Sequence, residues 1–353
     1  MTPAYVLPVN KVDKVLDLCA APGGKSTELG AKLSGTGLLV SNDISASRAK
    51  ALVKNIEVFG IGNVVITCEY PEKLAAKFPE FFDKILVDAP CSGEGMFRKD
   101  NKLIKSWEQE GPEFYSPIQR GILNSAAAML KEGGYILYST CTFSKMENED
   151  NIRDFLDRHS DFELVKIFDY EGFVRAYGMN DAVRLFPHHL KGEGHFVALF
   201  HSLDNYESEV SKPKKTSMTD AEKVYRQFEK EFLNTELDGE FCLFGEQLYL
   251  KPKCIDVDKI KVVRNGLNLG IYRKNRFEPS YALCLALKKE DFKNTVDFEC
   301  DSEELKKYLM GNTVECDKKG WCAVTVNGYP IGWGKASNGI LKNHFPKYLR
   351  LKR

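Results

Sequence analysis

The chain has no apolar run long enough to cross a membrane, and its opening residues, Met1-Thr2-Pro3, carry neither the basic nor the apolar region of a secretory leader. Its 10 cysteines include no close CxxC pair, which argues against a zinc site and against a disulfide framework. Charge of one sign is missing as well. With 50 basic and 50 acidic residues the formal balance is +0, so the whole molecule does not advertise a polyanionic partner. No internal repeat and no low-complexity tract is visible. These absences leave a chain whose thiols are expected to be reduced and mostly buried, as in a cytoplasmic protein without metal or membrane. Its 353 residues, 43% hydrophobic and 28% charged, suffice for two or three cores.

The first two hundred residues alternate strand-like and helix-like segments. Val15–Leu18, Gly37–Asn42, Asn63–Thr67, Lys84–Val87, Tyr135–Ser139 and His195–Phe200 read as strands. Helices are expected near Ser26–Lys32 and Ala46–Phe59, and another beginning at Ser116-Pro117 and ending at Gly133-Gly134. Such alternation predicts an α/β, Rossmann-like doubly wound parallel sheet. From Ser208 to Thr219 the composition turns to serine, lysine and threonine, as in a linker, and beyond it lies a smaller α+β or β-rich region. The expected layout is a first domain over 1–202, a linker over 203–219, and C-terminal modules over 220–290 and 291–353.

Two thiols and a carboxylate stand out. Cys91 follows the apolar run Ile85–Val87, with Asp88 between, and Cys141 follows Tyr135–Thr140. In open α/β sheets the ligand crevice lies beyond the carboxyl ends of the strands, so Cys91, Cys141 and Asp88 are expected to converge there. A lone cysteine at a strand end is ordinarily packing. Two of them beside an acid and a glycine-rich loop suit nucleophilic chemistry. Carbon-5 methylation of cytosine is one such reaction: a thiolate adds to carbon 6 and turns carbon 5 into a nucleophile.

The loop after the first strand, Asp17-Leu18-Cys19-Ala20-Ala21-Pro22-Gly23-Gly24-Lys25-Ser26, has small residues that let backbone approach a ligand closely. Asp43 closes the second strand at a position suited to ribose hydroxyls. A nucleotide phosphate loop is the competing reading. Its leading glycine would fall at position 19, which is cysteine, and Pro22 stiffens a loop that must present amides to phosphate. S-adenosylmethionine, which has ribose and adenine but no phosphate, fits better.

With these motifs on view the chain resembles the Sun/Nop family of RNA 5-methylcytosine methyltransferases, and most of all its bacterial RsmF-like ribosomal RNA branch. The likeness rests on Asp17–Lys25, Asp88–Gly95 and Ser139–Thr142, on Glu147-Asn148-Glu149 and Arg184–His188, and on Arg276–Ser280 and Lys342–Lys347 near the end. It implies that Cys141 is the nucleophile and Cys91 the thiol that assists release. It also implies that Cys19, Ala20, Ala21, Pro22, Gly23, Gly24 and Lys25 hold the cofactor's methionine end, that Asp43 holds its ribose, and that Asp88 lies between cofactor and base. The implied partner is ribosomal RNA, met by a monomer through a PUA-like C-terminal module.

Two features depart from the family pattern. Position 70 is Tyr where the branch offers an acid near adenine, with Glu69 as the substitute, and the family's amino-terminal RNA-binding segment is expected to be missing. Recruitment of RNA would then fall to the basic tail from Lys335 to Arg353, and to Arg98-Lys99 beside the Cys91 loop. Trp321, Tyr329 and Trp333 are read as core, and Arg184–His188 and His195 as structural residues at the sheet edge. The alternative of another class is a non-catalytic RNA-binding or assembly factor that keeps the fold.

Overall fold

The computed structural model describes residues 2–203, 219–252, 254–273 and 276–352. The expected linker, 203–219, lies outside the described residues except at its two ends. The chain divides into two compact units: Met1–Val53 with Val65–Val210 and Asp256–Arg264, and Lys54–Val64 with Ser211–Ile255 and Asn265–Arg353.

In the first unit the alternation takes the order α1 (Thr2–Val6), β1 (Lys14–Asp17), α2 (Gly24–Leu33), β2 (Leu38–Asn42), α3 (Ala46–Val58), β3 (Val64–Thr67), α4 (Pro71–Lys77) and β4 (Phe82–Asp88). Then come α5 (Lys102–Gln109), α6 (Pro112–Met129), β5 (Leu130–Thr140), α7 (Glu149–Arg158), β6 (Phe162–Val165), β7 (Phe173–Ala176), β8 (Met179–Leu185) and β9 (His195–Ser202). One sheet runs Val262–Asn265, β3, β2, β1, β4, β5, β9, β8, β7, with β6 also paired to β9. β1 pairs in parallel with β2 on one side and β4 on the other, and β4 pairs in parallel with β5. Every residue of β2 and β3 is buried, as helices on both faces of a parallel sheet require. The chain order reverses direction across the sheet at β1, so the crevice opens beyond Asp17, Asp88 and Thr140.

Three sequence expectations are corrected. The sheet is parallel only in part: β9 runs antiparallel to β5, and β8, β7 and β6 extend the antiparallel half. β9 is therefore an interior strand, and its first residue lies at the carboxyl end of β5. The helix expected from Ser116 begins at Pro112, in the first-turn position where a missing N–H costs nothing, and runs through Pro117. Ser116 caps nothing; its hydroxyl donates to Asn151 Oδ1 at 2.8 Å. Gly133-Gly134 does not end that helix but sits inside β5, where Gly133 takes φ 70° beside a register shift against β4. A Cβ on Gly134 would come within 2.8 Å of Lys131 O and of the Leu130 side chain.

In the second unit α8 (Asp220–Phe232) is capped by the Thr219 hydroxyl, which accepts from Glu222 N–H. It packs on a four-stranded antiparallel sheet of β10 (Glu240–Phe244), β11 (Gln247–Lys251), β13 (Leu267–Arg273) and β14 (Arg276–Pro279); β12 is the Val262–Asn265 strand above. A five-stranded sheet follows, ordered β15 (Thr295–Phe298), β17 (Gly320–Val326), β18 (Tyr329–Ser337), β19 (Ile340–Asn343), β16 (Val314–Glu315). One apolar cluster draws Tyr225, Phe228, Leu269 and Leu283 together with Trp321 and Trp333, so both stretches of the unit share a core. Trp321 and Trp333 are core residues, whereas Tyr329 is 76% exposed. The Arg350 guanidinium donates twice to the Phe345 carbonyl, which orients it.

Trp333 also donates from Nε1 to Ser280 O at 2.7 Å, so its truncation leaves a cavity and takes the shorter of two hydrogen bonds from that carbonyl, which also accepts from Cys284 N–H at 3.4 Å. Trp333→Ala is expected to cost about 3–5 kcal/mol in urea unfolding, while exposed Tyr329→Ala stays within about 0.5 kcal/mol. Equal midpoints for the two variants would contradict that placement of the core.

Candidate active site

β4 and β5 run side by side with Asp88 opposite Ser139, so the residues just beyond them meet. Cys91 Sγ and Cys141 Sγ lie 3.1 Å apart, both free and partly accessible, and Cys141 N–H donates to Cys91 Sγ at 3.3 Å. Two thiols this close share a proton unequally. The hydrogen bond from Cys91, ahead of burial, holds the Cys141 thiol below its usual value, while that bond and burial push Cys91 well above. Either sulfur can donate to the other, so the pair can hold one thiolate beside one thiol.

Buried carboxylates fix the two loops. Glu147, fully buried, accepts from Ser92 N (3.0 Å), Ser92 Oγ (2.5 Å) and Gln119 Nε2 (2.7 Å). Gln119 also donates to Pro90 O, so α6 grips the Cys91 loop directly. Glu94 reaches the other way and accepts from Phe143 N at 2.9 Å and Thr142 Oγ1 at 3.2 Å, beside Cys141. Behind them Arg184 and Glu149 form a bidentate pair, 1% and 0% exposed, at 2.7 and 2.5 Å, and Arg184 Nη1 donates to Phe143 O. The motifs around Glu147 and Arg184 therefore brace the thiols.

The loop between β1 and α2 lies at the neighbouring strand end. Gly23 adopts φ 112° as it opens α2, a left-handed conformation that favours glycine. Lys25 Nζ meets Asp88 Oδ2 at 2.5 Å, and Ser139 Oγ donates to Asp88 Oδ1 at 2.6 Å. Asp43 is buried and accepts from Ala21 N at 3.2 Å and Ser45 N at 2.9 Å, with Arg48 3.4 Å away. This ties the Cys19–Lys25 loop to the end of β2. Cys19 is no nucleophile: burial first, then the charges of Asp17, Asp88 and Asp43, push its thiol far up.

Sequence reasoning passed over Asp17 as a site residue. It is fully buried; Oδ2 accepts from Ser26 Oγ at 2.6 Å, while Oδ1 is buried with no partner among the described residues. Burial raises its carboxyl to about 7. Tyr70 is 62% exposed. Glu69 is buried and, against the pull of burial, held low by Lys261 N–H and Lys73. Among the described residues no group of three or more His, Cys, Asp or Glu is arranged to hold a metal ion, and no helix is long and apolar enough to cross a membrane.

A partly parallel sheet with a glycine-rich turn after β1, an acid just beyond β2 and reactive groups after β4 has the Rossmann-like methyltransferase arrangement. Residues 4–201 match the family model for 16S rRNA methyltransferase RsmB/F, and the chain belongs to that family. Residues 227–287 match the RsmF rRNA methyltransferase first C-terminal domain, and 295–351 the methyltransferase RsmF PUA domain. Ribosomal RNA small subunit methyltransferase F of Vibrio vulnificus (strain YJ016) is 31% identical over 362 residues, covering 98% of this chain and 76% of that one. The enzyme of that name from Escherichia coli O157:H7 (strain EC4115 / EHEC) is 30% identical over 355 residues, covering 96% and 74%. Among solved structures, NSun6 from Pyrococcus horikoshii with SFG is similar with a TM-score of 0.50 and 30% identity, over 57% of this chain and 51% of that one.

Removing one member of a buried ion pair strands the other charge. Arg184→Leu is expected to cost about 3–5 kcal/mol of unfolding free energy, far more than loss of an exposed pair such as Arg273–Glu246. Asp17 gives a pH signature. Its folded pKa is raised, so its contribution is complete below about pH 4 and is lost as pH rises through about 7. Unfolding curves of Asp17→Asn should be flatter across that window than wild type; parallel curves would remove Asp17 as the titrating group.

Proposed function

We propose that the chain is an S-adenosylmethionine-dependent RNA methyltransferase that modifies carbon 5 of a cytosine in small-subunit ribosomal RNA, through a covalent adduct with Cys141. The observation that carries the reading is the thiol pair, 3.1 Å apart at the ends of adjacent strands and next to Asp88. It is supported by relatives named for small-subunit ribosomal RNA methylation and by an archaeal neighbour solved with SFG, an S-adenosylmethionine analogue.

The residues around the loop fit this cofactor. The carboxyl groups of Asp17, Asp43 and Asp88 all lie around the Cys19 loop and offer acceptors for an ammonium and for ribose hydroxyls. The unpaired Asp17 Oδ1 suits an amino group. Asp43 takes the ribose, and the backbone from Cys19 through Ala20, Ala21, Pro22, Gly23 and Gly24 to Lys25 takes the methionine end. When bound, the cofactor supplies an electrophilic methyl group.

Cys141 acts as the thiolate. Its sulfur adds to carbon 6 of the base, and the displaced ring electrons make carbon 5 nucleophilic, while Asp88 lies between cofactor and base. On release the carbon–sulfur pair returns to Cys141, and the S–H of Cys91 stabilises the departing thiolate. The protein works as a cytoplasmic monomer. Residues 1–202 carry the chemistry; a linker over 203–219 precedes modules over 220–290 and 291–353 that hold RNA, the last of them PUA-like.

Cys141→Ser is expected to abolish both methylation and covalent attachment to RNA on denaturing gels. Cys91→Ala should instead accumulate the adduct, since attack survives and release does not. The opposite pattern would exchange the two roles. Asp43→Ala should weaken S-adenosylmethionine by roughly ten- to a hundredfold in calorimetry, through loss of the hydroxyl acceptor.

A further inference from the structure

Release of the methylated base requires that something accept the proton on carbon 5, and the residues already placed are poorly available for it. Cys91 Sγ is occupied by Cys141, 3.1 Å from its sulfur and accepting from its N–H at 3.3 Å. Both oxygens of Asp88 are engaged, by Lys25 at 2.5 Å and Ser139 at 2.6 Å. Glu147 and Glu94 are committed to the loops they fix.

We infer that His195 is the base that accepts the carbon-5 proton, a role that rests on the proposed cytosine chemistry. Its position follows from the sheet. β9 is antiparallel to β5, with Phe196 opposite Thr140, so His195 begins β9 at the strand end from which Cys141 follows. The segment leading into it is pinned to the thiol loops. Gly95 N–H donates to Cys141 O at 2.9 Å, and Gly194 N–H to Gly95 O at 3.4 Å. A Cβ on Gly95 would stand 2.7 Å from Gly194 O and 2.8 Å from Cys141 O, and one on Gly194 would stand 2.1 Å from the Phe143 ring. Only glycines permit that approach, and it fixes the backbone beside His195 against the reactive loops.

The charged groups that act on the ring are Lys25 from α2 and Asp88 from β4. Just before the strand lies Glu193, with a buried Oε2 that has no partner among the described residues. Arg98 closes the same turn by donating to Gly192 O at 3.2 Å. Burial first, and then the charge of Lys25, hold the imidazole below its ordinary value against the opposing effect of Asp88, so it is neutral at neutral pH. A neutral imidazole carries a lone pair on one ring nitrogen. In the release step that lone pair takes the proton from carbon 5. The C–H electron pair rebuilds the carbon 5–carbon 6 double bond, and the carbon–sulfur pair leaves with Cys141 as thiolate. The imidazolium then gives its proton to water.

The test uses the full-length protein, small-subunit RNA tritiated at cytosine carbon 5, and S-adenosylmethionine, in single turnover. In His195→Gln and His195→Asn methyl transfer should persist, while tritium release slows by roughly a hundredfold or more and protein–RNA adduct accumulates. The wild-type release rate should fall on acidification as the imidazole protonates, and that limb should vanish in both variants. Wild-type release rates with an unchanged pH profile would overturn the assignment. So would loss of methyl transfer itself in both variants with cofactor affinity retained, which would place His195 before release. A wild-type protein that transfers methyl but releases no tritium would instead refute carbon 5 as the target, and the inference with it.

Discussion

The active-site geometry depends on a carboxylate that touches no substrate. Glu147 is fully buried, and desolvation alone would make its charge costly. Hydrogen bonds from Ser92 and Gln119 offset that cost, and each comes from a different part of the chain. The Cys91 loop, α6 and the segment after Cys141 are thereby held to one point. Without it the two thiols would sit on independent loops, and their contact would be a matter of chance sampling rather than of fold. Glu94 and the Arg184–Glu149 pair repeat the device on the far side, so the reactive sulfurs are flanked by polar networks that cannot rearrange piecemeal.

The parallel half of the sheet was legible because buried parallel strands are apolar on both faces, as in Leu38–Val40 and Ile85–Val87. The loops were legible because close backbone approach requires the small residues at 20–24. The errors have physical causes. Ser116-Pro117 has the chemistry of a helix start, yet Pro112 competes for the same position, and local sequence does not rank the two. Gly133-Gly134 resembles a helix stop but serves a register shift between β4 and β5.

Strand order was the larger loss. Nothing in His195–Phe200 tells an edge strand from one wedged between β5 and β8, because both are apolar and β-branched in the same measure. The histidine was therefore read as peripheral when it begins an interior strand. The bracing networks were equally hidden: Glu147 bonds to Ser92 across 55 residues and to Gln119 across 28, and polar pairs at such separations leave no periodic trace. Only the resemblance to a family singled out Glu147 and Arg184 in advance. Their roles are visible only in three dimensions.

Charge follows the same logic of local arrangement within a neutral whole. A protein with a formal balance of +0 draws RNA through patches, and how each cation is employed decides which patches remain. Lys25 is spent on Asp88 and Arg184 on Glu149, so neither is open to phosphate. Arg98 and Lys99 stay exposed just after the Cys91 loop, as do Lys335, Lys342 and Lys347 in the five-stranded sheet and its tail. Counting basic residues along the chain therefore overstates what it offers. The cations that matter for RNA are those the fold leaves unused, and those nearest the thiols belong to the loop that the nucleophile's partner opens.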